Sequence, residues 1–157
     1  MVDVKYGETY LSKYIGLQHR LKKTFKIMTL ILSISGIFGW KYFENLAWVA
    51  FILIAIMQLL TLVENQLIRS DKEVEDISTL RMKYTKYFNK LEKLWTEYRN
   101  DIKPENKAFE IFYELRKSDW EPIEELDTKL DIKEFKRLMN KADIETNDYI
   151  NKYHSNE

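Results

Sequence analysis

Residues 46–63 read LAWVAFILIAIMQLLTLV, an uncharged run that lies between Glu44 and Glu64. An apolar run of about 18 residues is long enough for a helix to cross the hydrocarbon core of a bilayer. The same run can also form a buried core helix, although soluble core helices seldom need an unbroken run of this length. The length therefore favours a membrane span.

The preceding segment supplies a partner for this span. Residues 27–40 read IMTLILSISGIFGW and are also uncharged, and only the sequence KYFEN separates the two runs. A chain in lipid must satisfy its backbone polar groups internally, so an entering helix needs a returning one. The sequence predicts a transmembrane hairpin over residues 27–65, with helices at 27–41 and 46–64.

The N-terminal segment, residues 1–26, has the pattern of a basic amphipathic helix. Its apolar residues recur every three or four positions and are surrounded by lysine and arginine. This apolar stripe either lies at a lipid surface or packs on the C-terminal helices. The stripe consists of Tyr10, Tyr14, Leu17, Leu21 and Phe25.

Residues 66–157 have a helical rhythm and no strand-like alternation, which predicts a helical C-terminal domain. The second span either continues as one helix to about residue 100 or breaks near Ser70. Lysine and arginine flank the hairpin on both sides, and the positive-inside rule then places both termini in the cytoplasm. The predicted fold is an all-α membrane protein that assembles as a homo-oligomer.

The composition offers little for catalysis. The chain has no cysteine and only two histidines, His19 and His154. This excludes cysteine chemistry and disfavours a histidine-based zinc site. The sequence contains no phosphate-binding loop, nucleophile elbow or zinc-protease motif. We therefore predict that the protein is not an enzyme and holds no metal or cofactor.

Polar residues near the end of the second span suggest a conduit. Gln58, Thr61 and Asn65 share one helix face, with Glu64 at its edge. Polar groups in a span are costly unless they face protein or water, so in a ring of hairpins these four residues would line a pore. Alternatively, they form hydrogen bonds between helices or mark an ordinary span end.

A basic face on the following helix suggests an anion site. Lysines recur at spacings of three, four and three, with two tyrosines beside them, and lysines bind phosphates while aromatic rings stack on bases. Alternatively, the lysines form a solvated face balanced by the acidic C-terminal region. The candidate ligand-binding residues are Lys83, Tyr84, Lys86, Tyr87, Lys90 and Lys93, which Arg20 and Lys23 could join.

The layout resembles the SLATT family, the SMODS- and SLOG-associating two-transmembrane effectors of bacterial defence systems. The resemblance rests on the basic N-terminal helix with Tyr10 and Arg20, the hairpin with an aromatic tip, and a long helix with Trp95 and Tyr98 near its end. It implies a pore-forming effector in the bacterial inner membrane. A nucleotide made by a partner nucleotidyltransferase would control that effector during phage infection.

The combined prediction is a homo-oligomeric ion channel or pore for anti-phage abortive infection, gated from the cytoplasm by a nucleotide or oligonucleotide. Four subunits is a working guess from symmetry. The predicted partners are further copies of the chain, the nucleotide ligand and the lipid bilayer. The alternatives are a membrane-anchored scaffold that recruits a cytoplasmic protein and a soluble helical adaptor.

Overall fold

Helices account for the described chain apart from short turns. The computed structural model describes residues 1–42 and 47–154, and the side chains of all of these except 34–42, 47, 49, 50 and 65. The helices are α1 (Val2–Tyr42), α2 (Ala47–Leu67), α3 (Asp71–Arg99), α4 (Glu105–Leu115), α5 (Glu121–Leu130) and α6 (Lys136–His154), and a π-helical turn (Arg116–Trp120) joins α4 to α5.

These helices divide into two compact units. The bundle unit contains Met1–Ile15 and the chain from Lys72 onward, and the hairpin unit contains Gly16–Asp71. Helix α1 therefore contributes to both units. The predicted segment boundaries, after residues 26 and 65, follow the change of charge along the sequence, whereas the unit boundaries follow packing.

The core of the bundle unit is built from apolar residues that recur every three or four positions. On α1, Tyr10 and Tyr14 of the apolar stripe pack on the C-terminal helices, whereas Leu17, Leu21 and Phe25 belong to the hairpin unit. Packing on the C-terminal helices is therefore the correct arrangement for the first part of the stripe only. On α3 the same periodicity buries one complete face. The core residues are Val4, Tyr10, Leu11, Tyr14, Ile77, Leu80, Tyr84, Tyr87, Phe88, Leu91, Ile123, Leu130 and Ala142.

Tyr10 fixes the connection between α5 and α6. Its hydroxyl donates to the carbonyl of Lys133 at 2.8 Å and accepts from the N–H of Phe135 at 3.1 Å. The residue is only 8% exposed, so both bonds meet the rule that buried polar groups are paired. Burial also raises the pKa of the Tyr10 phenol. The start of α6 is thereby tied to α1.

In the hairpin unit, a buried amide on α1 forms hydrogen bonds at the C-terminal end of α2. Gln18 is 2% exposed. Its Nε2 donates to the Leu67 carbonyl at 3.3 Å, and its Oε1 accepts from the Arg69 N–H at 3.0 Å. Helix α2 ends at Leu67 and α3 begins at Asp71, so the chain breaks near Ser70 and does not continue as one helix.

The membrane predictions are contradicted. Across residues 1–42 and 47–154, no helix is both long enough and apolar enough to cross a bilayer. Gln58 and Thr61 interrupt the apolar residues of α2, and the polar sequence Glu64 to Gln66 follows them before the helix ends. The predicted all-α class is confirmed, whereas the transmembrane hairpin, the ion-channel and pore-forming character and the inner-membrane localisation are wrong as predictions for the described chain.

Thr146 provides a test of the packing in α6. The residue is 1% exposed, and its hydroxyl has no hydrogen-bond partner in the described chain. A buried unpaired hydroxyl costs about 1–3 kcal/mol. Thr146→Val keeps the shape and removes the hydroxyl, so we expect the free energy of unfolding to rise by about 1 kcal/mol in urea titrations.

The matched control is Thr128→Val on α5. The Thr128 hydroxyl is exposed and donates to the Glu124 carbonyl at 2.8 Å. Its removal therefore breaks a hydrogen bond and does not remove a buried, unpaired polar group. We expect no stabilisation there. A gain of the same size at both positions would show that the unpaired state of Thr146 is not the cause.

Candidate functional site

A Schellman turn joins α3 to α4 and shapes the candidate site. The N–H of Ile102 donates to the Glu97 carbonyl at 3.0 Å, and the N–H of Asp101 donates to the Tyr98 carbonyl at 3.1 Å. Asp101 takes the left-handed position of this motif, with a φ of 55°. Pro104, with a φ of −67°, then precedes the first residue of α4. Helix α4 thereby returns along the end of α3.

Two facing stripes line a groove between these helices. On each helix the lining residues follow the spacing i, i+3, i+4, i+7, which places four side chains on one face. The N-terminal residue of the chain completes the lining. The aromatic groove, as we define it, consists of Leu91, Leu94, Trp95 and Tyr98 on α3, Glu105, Ala108, Phe109 and Phe112 on α4, and Met1.

The aromatic groove has the size of a small ligand site. Its volume is about 330 Å³, within the range of roughly 300–1,000 Å³ that ligand clefts occupy. Trp95 is 43% exposed and Phe109 is 54% exposed, and no residue of α4 is buried. Aromatic side chains that remain this accessible on one surface are typical of binding sites.

The charges at the groove are unevenly matched. Glu97 lies on α3 just before Tyr98 and is not part of the lining. It forms ion pairs with Lys103 at 2.5 Å and with Lys93 at 3.8 Å. The hydrogen bond from Lys103 holds the pKa of the Glu97 carboxyl below its usual value. Glu105 lines the groove itself, and within residues 1–42 and 47–154 no lysine, arginine or histidine forms an ion pair with it. Glu105 is therefore the one carboxylate side chain of the lining, and no basic side chain of the described residues neutralises it through an ion pair.

The two tyrosines predicted to stack on a ligand lie in the core of the bundle unit. Tyr84 is 8% exposed and Tyr87 is 4% exposed. Both rings pack on Trp120, with centroid distances of 6.0 Å and 5.8 Å. Burial, followed by the charges of Asp127 and Glu124, raises the pKa of Tyr84 to about 12. Base stacking by these rings has no support in this arrangement.

The lysines of the predicted basic face differ in their surroundings. Lys90 pairs with Asp119 at 2.5 Å, and Lys93 pairs with Glu97 at 3.8 Å. Lys86 is exposed and Lys83 is half-buried on α3. At two of the four positions an acidic partner already neutralises the charge, as in the solvated-face alternative. Binding of a nucleotide to this face stays a prediction.

The two basic residues predicted to join this face belong to the other unit. Arg20 and Lys23 are exposed on α1, in the hairpin unit. Nearby, Lys22 pairs with Asp71, and this hydrogen bond lowers the pKa of the Asp71 carboxyl.

The four residues predicted to line a pore lie along α2. Gln58 and Thr61 are exposed, and Glu64 is half-buried. The Thr61 hydroxyl donates to the Met57 carbonyl at 3.0 Å, so it is satisfied within its own helix. The side chain of Asn65 lies outside the described residues. Gln58 is exposed on α2, and most of the other exposed side chains of this helix are apolar.

The exposed surface of the hairpin unit is the second unusual feature of the chain. Large apolar side chains on both helices of the hairpin unit are exposed, up to 75% for Phe51. The hairpin surface, as we define it, consists of Ile27, Met28, Leu30 and Ile31 on α1 and Trp48, Phe51, Ile52, Ile54, Ile56, Leu59, Leu62 and Val63 on α2. Large apolar side chains that remain exposed in such number normally mark an interaction site.

Comparison with known protein families, curated proteins and solved structures found no match for this chain. The resemblance to the SLATT family, and the role in phage defence that it implies, stay predictions.

In the described part of the chain, no group of three or more histidine, cysteine, aspartate or glutamate residues is placed to hold a metal ion. The two surfaces that do stand out are the aromatic groove and the hairpin surface. Sequence reasoning found the apolar residues of the hairpin but missed the groove. The sequence did contain a signal for the groove, because its lining residues follow the spacing i, i+3, i+4, i+7 both before and after Pro104.

Proposed function

We propose that this chain is a helical scaffold that assembles with copies of itself through the hairpin surface. The observation that carries the proposal is the breadth of the exposed apolar arc on α2. Taken around an ideal helix at 3.6 residues per turn, its exposed large apolar residues cover about 200°. The half-buried residues Leu53, Met57 and Leu60 occupy the opposite side of the helix.

One neighbouring helix is too narrow to cover this arc. A helix buries an apolar stripe of roughly 100° against its neighbour. The outward arc of α2 is about twice as wide on the helical geometry above. Two neighbours are therefore needed for each α2, as in a ring or a bundle of several hairpins.

Copies of the same hairpin have the required chemistry. The occupant must present an uncharged face along about 30 Å, the length of a helix of 21 residues such as α2. A second α1–α2 hairpin supplies that face, and closed symmetric assembly is the commonest arrangement of soluble oligomers. Assembly of several copies also agrees with the sequence-based expectation of a homo-oligomer, for which the number of four stays a prediction.

Gln58 has a clear role in such an assembly. On the ideal helix it lies within the apolar arc, between Ile54 and Leu62. A polar side chain buried among apolar ones must find a partner, and this requirement fixes the register and the number of copies at a cost in stability. The scaffold thus gains one preferred arrangement.

The test is the mass of the purified full chain in buffer without detergent. We expect the wild type to sediment as an oligomer of its 19.0 kDa chain. Phe51→Glu combined with Leu59→Glu places two charges in the interface, at positions 75% and 65% exposed in the single chain. The dissociation constant should rise by at least about 100-fold, because central apolar contacts contribute most of an interface's energy.

The control introduces the same charges elsewhere. Ile102 and Ile144 are 67% and 61% exposed, and both belong to the bundle unit. Ile102→Glu combined with Ile144→Glu should leave the oligomer intact. A monomeric wild type that instead binds lipid vesicles, or equal dissociation of both double variants, would overturn the proposal.

A further inference from the structure

We propose that the aromatic groove binds a small alkylated ammonium ion, a cation that carries an apolar chain. The inference does not depend on assembly of the hairpin, because every lining residue belongs to the bundle unit. It rests on three observations: the aromatic content of the lining, the single carboxylate, and the size of the groove.

The lining provides aromatic surface that is not used internally. Trp95 and Tyr98 are inclined to each other by 45° with centroids 6.2 Å apart, so neither ring covers the face of the other. They remain 43% and 40% exposed, and Phe112 remains 37% exposed. Aromatic faces attract cations, and tryptophan does so most strongly. Clusters of such rings are the usual receptors for quaternary ammonium groups.

Glu105 gives the groove its charge preference. It is the first residue of α4 and the one acidic side chain in the lining. A carboxylate attracts cations and repels anions, and the faces of aromatic rings do the same. A carboxylate beside aromatic faces therefore favours a cation over an anion as the ligand. An uncharged apolar ligand would use the rings but not Glu105.

The volume selects a small molecule as the ligand. At about 330 Å³ the groove lies at the lower end of ligand clefts. The apolar residues Leu91, Leu94 and Ala108 offer a place for a short alkyl chain beside the aromatic rings. A short-chain alkyltrimethylammonium ion meets all three requirements.

The test compares three probes with the same six-carbon chain, titrated calorimetrically into the full-length wild type. The probes are hexyltrimethylammonium, hexanol and hexanoate. We expect the cation to bind roughly tenfold more tightly than the alcohol, and the anion to bind most weakly. Equal affinity for the three probes, preference for hexanoate, or absence of binding would overturn the proposal.

Variants separate the contributions of charge and rings. Glu105→Gln changes an exposed residue and should reduce the preference for the cation over the alcohol by roughly threefold to fivefold. Trp95→Leu should weaken binding of the cation more than binding of the alcohol. Tyr153→Leu changes an aromatic residue that is 55% exposed outside the groove and should change neither affinity.

Discussion

Gly7→Ala is expected to lower the free energy of unfolding by about 1–3 kcal/mol, although alanine is the better helix former. A Cβ atom at residue 7 would stand 2.6 Å from Cε1 of Tyr84 and 3.0 Å from Cζ. The Tyr84 ring cannot swing aside easily, because it is 8% exposed and packs edge-on against Trp120. Glycine is thus required at this position for the close approach of α1 to α3, and urea titrations measure the loss.

Gly16→Ala on the same helix is the matched control. A Cβ atom there would meet no other atom within 4 Å. Only the helix preference remains, so we expect a gain of about 0.5–1 kcal/mol. Combining Gly7→Ala with Tyr84→Leu should remove much of the clash, and the double-mutant cycle should show favourable coupling. A Gly7→Ala variant as stable as Gly16→Ala would contradict the packing described for Tyr84.

Periodicity was sufficient to predict the helices and much of the core. The apolar rhythm of α3 predicts the face that includes Ile77, Leu80 and Leu91, and these residues are buried. The helical rhythm predicted for residues 66–157 continues after Pro104, in α4. These successes share a cause: the repeat of about 3.6 residues is a local property, and it decides which side chains of a helix lie on the same side.

The sequence left open whether the N-terminal stripe packs on the C-terminal helices, and the residues that make this contact were not predictable from it. The first turns of α1 pack with the C-terminal helices, because Tyr10 finds its partners at Lys133 and Phe135. No local pattern encodes a pairing across more than a hundred residues. The aromatic groove was missed for a related reason: Trp95 and Phe109 fit an amphipathic pattern equally well whether they are buried or left accessible.

The uncharged run of α2 shows the same limit in another form. Its composition states that a large apolar surface must be covered. The composition does not indicate what covers this surface, and the length of the run alone led to the prediction that lipid covers it. In the described residues no helix meets the criterion for crossing a membrane, and the apolar side chains of α2 remain exposed around a wide arc. The proposal of self-assembly follows from that arc.

Tyr84→Phe is expected to move alkaline unfolding to higher pH. The pKa of Tyr84 rises from 10.0 to about 12 in the folded chain, chiefly through burial. A raised pKa means that the neutral phenol stabilises the fold fully below pH 10, and that this contribution is lost as pH rises through about 12. Phenylalanine cannot ionise, so the variant should remain folded at pH values where the wild type unfolds. Circular dichroism followed against pH, together with tyrosinate absorbance, measures the shift.

Tyr149→Phe should behave differently although the pKa of Tyr149 is also raised to about 12. Burial is again the main cause of the raised pKa. Here the hydroxyl also donates to a carboxylate oxygen of Glu92 at 2.9 Å. Nε2 of His154 lies 3.0 Å from the same oxygen. Removal of the hydroxyl should lower stability near neutral pH, because a bond to an ionised group is lost. Tyr113→Phe, at a position 63% exposed, should change neither neutral nor alkaline stability. If the Tyr84→Phe and Tyr113→Phe variants unfold at the same alkaline pH, ionisation of Tyr84 is not the cause of alkaline unfolding.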